Sequence, residues 1–203
     1  MLVVAPWTIR NANVLHAFVP VSTETGPTAL GTYNAASRRW ADCTGCWVLL
    51  HLTAERPLAL RLNRLTEVQR DNQSRTLALR FAREHPGYVA QVAWGNSLRL
   101  LELGGFARTR FTATTIDVPP GAAVVGAIEL WIVLAVTVAG LGAGAWRRVP
   151  RGLTALIAFL WLTTVLVQSE TPRFRAALDP LLILLAALAV AQLSRVLDRS
   201  LPT

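Results

Sequence analysis

The sequence predicts a mainly α, multi-pass membrane protein, with a mostly helical extracytoplasmic domain followed by about three transmembrane helices. Three observations carry this expectation. Of 203 residues 53% are hydrophobic and mean hydropathy is +0.41, yet the apolar residues concentrate after Val118. Three apolar segments then follow in succession, residues 130–146, 153–168 and 181–193. Arginines flank those segments asymmetrically, as the positive-inside rule describes.

The domain is expected over residues 1–120. "MLVVAP" has no charged leader, too short an apolar run and no small-residue cleavage site, so it does not read as a signal peptide; residues 1–6 read instead as the end of a preceding span. "STETGPTALGTYNAAS" reads as a polar loop, and "CWVLLHLTA" as a short strand or a buried helical turn. Within the loop, Glu24 and Asn34 are solvated, or else line a groove for an acceptor. Thr66 is placed to cap a helix over 67–84, which His85, Pro86 and Gly87 interrupt. Pro86 suits the first turn of a second helix, expected to run to Leu103 and stop at Gly104 and Gly105.

The transmembrane region is expected over residues 121–203, with spans near 128–146, 152–169 and 177–194. The uncharged residues 130–146 reach about 26 Å at the helical rise, close to a hydrocarbon core of about 30 Å. A carboxylate is costly at mid-membrane, which places Glu129 near an interface. There it would face the bundle and pair with Arg173 or Arg175. The other two segments are shorter. A buried hairpin of a soluble protein is the alternative for any one of them, and three in succession favour the membrane. Arg147, Arg148, Arg151, Arg195 and Arg199 fall on the cytoplasmic side by the positive-inside rule. The loop "SETPRFRAALDP", residues 169–180, is then external, and so is the long N-terminal segment. Its thirteen arginines are no obstacle, since long domains translocate largely regardless of charge. The expected location is the cell membrane, with the C-terminus cytoplasmic.

Net charge is +8 with no lysine, and the isoelectric point is near 11.3. The arginines are dispersed rather than clustered with stacking aromatics, which argues against nucleic acid as a partner. Cys43 and Cys46 are the only cysteines. Outside the membrane their spacing suggests a small structural disulfide, with a redox pair as the alternative; one such pair is half a zinc site. His16, His51 and His85 are too scattered to mark a metal centre, and no nucleophile triad or phosphate-cradling glycine loop is legible. No metal site and no cofactor is expected.

Three passages carry a family resemblance. "PWTIRNANVLHAFVPVSTETG", residues 6–26, resembles the stretch of GT-C type membrane glycosyltransferases in which a span ends in Pro-Trp-x-x-Arg-Asn. "AREHPGYVAQVAWGNSLRLL" is similar to the His-Pro helix junction of bacterial members, and "ETPRFRAALDPLLILLAA" to their late external loop and the span after it. These members are the relatives of aminoarabinose transferase and protein O-mannosyltransferase, the family 39-like enzymes. The resemblance implies sugar transfer from a polyprenyl-phosphate carrier at the outer membrane face. It covers the C-terminal portion of such an enzyme and leaves out the early external loop that carries the catalytic acid, so the chain is expected to be inactive alone and to have an N-terminal polypeptide as partner. Membrane lipid is the other expected partner.

By the same resemblance, Arg173 and Arg175 meet the donor phosphate, for which a guanidinium fork is well suited, and Phe174 rests among acyl chains. Arg10 and Asn11 face the same donor, although an arginine beside Trp7 also reads as an interfacial anchor. No catalytic residue is assigned. On the residues alone, Glu170 and Asp179 neutralise the two arginines, Arg175 and Asp179 being one helical turn apart, and Asp179 with Pro180 starts the last span. The competing reading is a non-enzymatic membrane module that binds a lipid, a glycan or a partner subunit.

Overall fold

The computed structural model describes residues 3–40, 43, 45–167 and 172–200. It is mainly helical, 76%, with no strand among the described residues. Two compact units divide it, Met1–Gly95 and Asn96–Thr203.

Unit 1 is built on α5, Glu67–Glu84, which begins in a reciprocal capping box. Gln69 N donates to Thr66 Oγ1 at 3.4 Å, and Thr66 N donates to Gln69 Oε1 at 3.2 Å. Two orphan amides of the first turn are thereby satisfied. The stretch expected to be a loop holds two helices, α2 (Thr25–Thr32) and α3 (Ala35–Arg39). Packing overrides weak propensity here. Gly26 N donates to the buried Asp71 Oδ1 of α5 at 2.6 Å, and a side chain at Gly26 would collide with the Asp71 carbonyl. Asn34 is buried: it caps α3 by accepting from Ser37 N at 2.8 Å and donates to the carbonyls of Leu30 and Gly31. Its amide is spent on these backbone bonds, although the residue also borders a shallow hollow with Ala35, Glu55 and Arg80.

"CWVLLHLTA" contains one 3-10 turn, Leu50–Leu52, followed by α4, Arg56–Leu62. The core of the unit gathers Leu30, Tyr33, Leu62, Ala78, Tyr88 and Val92. The Tyr88 hydroxyl donates to Thr32 O at 2.9 Å and lies 2.9 Å from Ser37 Oγ, which donates to Cys46 O at 2.6 Å. Burial, and secondarily the neighbouring Tyr88, pushes the Tyr33 phenol up to about 12. Ahead of this core, α1 (Ala5–Leu15) is clipped to the chain that follows it, Thr8 Oγ1 donating to Pro20 O at 2.8 Å and Trp7 Nε1 to Val21 O at 2.8 Å.

In unit 2, α8 (Pro120–Gly142) and α10 (Asp179–Ser200) pack on each other. At their crossing a Cβ on Gly140 would collide with Ala189, so the two backbones meet closely. The first expected span is displaced towards the N-terminus: Pro120 sits in the first turn, where its missing N–H costs nothing, and Gly144 at φ +94° closes the helix. A short α7, Phe106–Thr114, packs beside α8. Between the long helices runs α9, Arg151–Val167, apolar but only 17 residues long.

Among the described residues two helices, α8 and α10, are thus long and apolar enough to cross a membrane, with mean hydropathy 2.3 and 1.6 over their best windows. Only 17% and 11% of those windows are buried by the rest of the chain, the opposite of a core helix in a soluble protein.

Candidate functional site

The polar centre of unit 2 forms at the end of α6 (Pro86–Leu100), whose last residues belong to this unit. The helix stops earlier than Gly104 and Gly105 suggested. Leu103 N donates to Leu98 O at 2.8 Å and Glu102 N to Arg99 O at 3.0 Å, the two bonds of a Schellman turn. The left-handed position falls on Glu102, at φ +57°, where glycine is the usual occupant. A side chain kept there at a backbone cost of about 1–2 kcal/mol has another use.

That use is Arg175. The Glu102 carboxylate lies 3.7 Å from Arg175 Nη1 and accepts from Thr109 Oγ1 at 3.0 Å. Arg175 is buried and its fork is occupied: Nε donates to Asp179 Oδ1 at 2.7 Å and Nη1 to Leu100 O at 3.0 Å. The neighbouring carbonyl, Leu101 O, accepts from Trp131 Nε1 of α8 at 2.9 Å. One turn back, the fully buried Asn96 donates to Val165 O of α9 at 2.7 Å and accepts from Arg99 Nε and Nη2 at 3.2 and 2.7 Å. The end of α6 is therefore the knot into which α8, α9 and the start of α10 are tied, and it uses the carbonyls that every helix C-terminus leaves unpaired.

The cleft beside it, between Arg99, Glu102, Arg108 and Thr109, has a volume of about 10 Å³. That is room for a water-sized molecule and no more.

The sequence-selected pair of arginines separates. Both lie on one 3-10 turn, Pro172–Arg175, with Phe174 between them. Arg175 points into the knot, and its bonds to Asp179, Leu100 and Glu102 leave its fork with internal partners. Arg173 points outward, exposed, with its guanidinium 4.9 Å from the centre of the Phe174 ring. Residues 168–171, Glu170 among them, lie outside the described residues. Glu129 is exposed on the outer side of α8 and does not pair with Arg175, whose carboxylate partners are Glu102 and Asp179. Helix α10 begins at Asp179, as the sequence suggested.

Arg10 and Asn11 belong to unit 1. Asn11 is buried and donates to Val19 O at 3.1 Å and Val21 O at 3.4 Å, so its amide closes the turn after α1. Arg10 is exposed, its guanidinium 5.1 Å from the Trp7 ring centre. Cys43 and Cys46 are joined by a disulfide with Cα atoms 5.4 Å apart. Among the described residues no group of three histidine, cysteine or acidic side chains is placed to hold a metal.

Sequence reasoning missed Glu102, Asn96 and Trp131. The only signal for Glu102 was a lone acid ahead of a double glycine, and that glycine pair drew the helix stop to itself. Set against protein-family models, curated proteins and solved structures, the chain matches none.

Proposed function

We propose that the chain forms the C-terminal part of a GT-C type membrane glycosyltransferase and helps to hold a polyprenyl-phosphate-linked sugar at the outer membrane face. In this reading α8, α9 and α10 all cross the membrane, unit 1 is external and the C-terminus is cytoplasmic. At about 26 Å, α9 needs local thinning of a core of about 30 Å, or a few flanking residues, to do so. The motifs behind the resemblance are those of the family's C-terminal portion, so the reading gives this chain donor binding and no catalytic residue.

The observation that carries the proposal is the division of labour on the turn Pro172–Arg175. Arg175, anchored on Glu102, Asp179 and Leu100, fixes the turn at the head of α10. Arg173 and Phe174 are then presented side by side, one offering a fork for phosphate and the other an apolar ring for the lipid chain. Arg173 is the phosphate contact, and Arg175 is a positioning residue.

The test is polyprenyl phosphate binding to the whole chain in nanodiscs. Arg173→Ala should weaken it by roughly tenfold, the value of one charge-assisted hydrogen bond. Arg173→Lys keeps the charge, loses the fork and should recover only part of that. Equal affinity in all three proteins would overturn the proposal. The alternative is a non-enzymatic module that binds lipid, favoured by the internal pairing of Arg175 and by a cleft too small for a sugar. Sugar transfer by the chain joined with an N-terminal partner polypeptide, and its loss with Arg173→Ala, separates the two.

A further inference from the structure

Unit 1 contains a depression between α2, α4, α5 and the extended residues 47–49, with a volume of about 190 Å³. Its making can be followed residue by residue. Val48 N donates to Gly31 O at 3.0 Å, which lays residues 47–49 along the end of α2. Gly31 makes room for the Trp47 indole, which any Cβ at that position would strike. Leu30, Leu62 and Val48 are buried beneath and form an apolar floor, and Trp47 forms a wall.

The rim is polar and balanced in charge. Glu24 and Arg70 face each other there, Arg70 Nη2 lying 3.3 Å from Glu24 Oε1, and His51 and Asn63 complete it. The Arg70 side chain is part-exposed there, which puts its guanidinium within reach of a ligand oxygen. A guanidinium N–H donating to a ligand oxygen is a charge-assisted hydrogen bond, stronger than a neutral one. Because Glu24 offsets Arg70, the rim favours neither an anion nor a cation.

A ligand that satisfies all of this has an apolar face, hydroxyl groups around its edge and no net charge. We propose that the depression binds a neutral sugar residue. Its C–H face lies on Trp47, one hydroxyl oxygen accepts from the Arg70 guanidinium, and another hydroxyl donates to the Glu24 carboxylate. Aromatic walls with a few convergent polar groups are the usual make-up of small-molecule sites. A second hollow, about 400 Å³, shares Trp47, Val48 and Leu49 with the first and is lined besides by Trp40 and Leu52. Trp40 supplies a second aromatic platform there, so the site takes a chain of at least two sugar residues. This assignment rests on unit 1 alone and is independent of whether the chain takes part in sugar transfer.

The test uses the whole chain in nanodiscs, free of sugar-based detergent, with maltotriose, mannotriose and arabinotriose as neutral probes and trigalacturonate as an acidic one. Saturation-transfer NMR and tryptophan fluorescence report binding. At least one neutral probe should bind saturably, and trigalacturonate about tenfold more weakly or not at all. Arg70→Lys keeps the charge opposite Glu24 but loses the planar guanidinium fork, and should weaken binding by roughly five- to tenfold. Trp47→Ala should abolish it. Should that variant fail to fold, Arg70→Lys and Asn63→Ala, judged by unchanged helical circular dichroism, decide the matter. No saturable binding of any neutral probe, equal binding by wild type and Arg70→Lys, or tighter binding of trigalacturonate would each overturn the proposal.

Discussion

The carboxylate of Glu102 and the guanidinium of Arg175 face each other at 3.7 Å, their side chains only 11% and 10% exposed. The pair joins the end of α6 to the turn that starts α10. Glu102 holds it from a left-handed backbone position, which makes its energetics open to dissection.

Arg175→Ala should be the more damaging change, because it strips a donor from Leu100 O, Glu102 and Asp179 together. A loss of about 3–5 kcal/mol is expected for an uncompensated buried charge. Glu102→Gly should cost less than Glu102→Ala by about 1 kcal/mol, since glycine relieves the backbone. A double-mutant cycle by denaturant titration in mild detergent should show coupling of about 0.5–3 kcal/mol. Strict additivity would mean that the two charges do not sense each other.

The disulfide between Cys43 and Cys46 closes a loop of four residues. By loop-closure entropy it should stabilise unit 1 by about 2 kcal/mol, and Cys43→Ser with Cys46→Ser should lower the unfolding midpoint accordingly. Protein isolated under non-reducing conditions should resist alkylation at both thiols until reduced. Full labelling without reductant would contradict this.

Tyr33 predicts a pH dependence. Its folded-state value is raised from 10.0 to about 12, so the folded protein retains a proton that the unfolded chain releases. Its contribution is complete below pH 10 and is lost as pH rises from there towards 12. Tyr33→Phe should flatten the fall in stability across that window, measured as unfolding midpoint against pH. An identical slope in the two proteins would remove Tyr33 as the cause.

The membrane topology under the proposed function is tested by single-cysteine labelling in a background with both native cysteines replaced. A cysteine at Asn72 should react with an impermeant reagent in intact cells, and one at Arg199 should react only after the membrane is opened. Labelling of Arg199→Cys from outside would reverse the arrangement.

What was legible in the sequence follows how locally each feature is determined. The start of α5 was readable because Thr66 is a strong cap and Pro86 follows its end. The i,i+4 relation of Arg175 to Asp179 was readable for the same reason. Helices α2 and α3 were read as a loop because their Gly, Thr and Asn content is poor helix material; what holds α2 is α5, far along the chain, and Ser37 of α3 is tied to Cys46 and Tyr88. Which of two arginines on one turn would be buried was beyond local reasoning: the deciding partners, Leu100 and Glu102, belong to another helix end. The stop of α6 misled because a double glycine is the stronger local signal, whereas a buried ion pair fixed the left-handed residue at Glu102.

The position of Glu129 has a consequence for where the protein settles in a cell. In the membrane-crossing reading of α8, the residues after Glu129, Leu130 to Gly142, give about 20 Å of uncharged helix. A thin bilayer accepts that length with the exposed carboxylate among the headgroups. A thick one must deform, or draw the carboxylate inward at a cost of a few kcal/mol. In that reading the chain would favour the thinner regions of a heterogeneous membrane, and lipid thickness would be a factor in its lateral sorting.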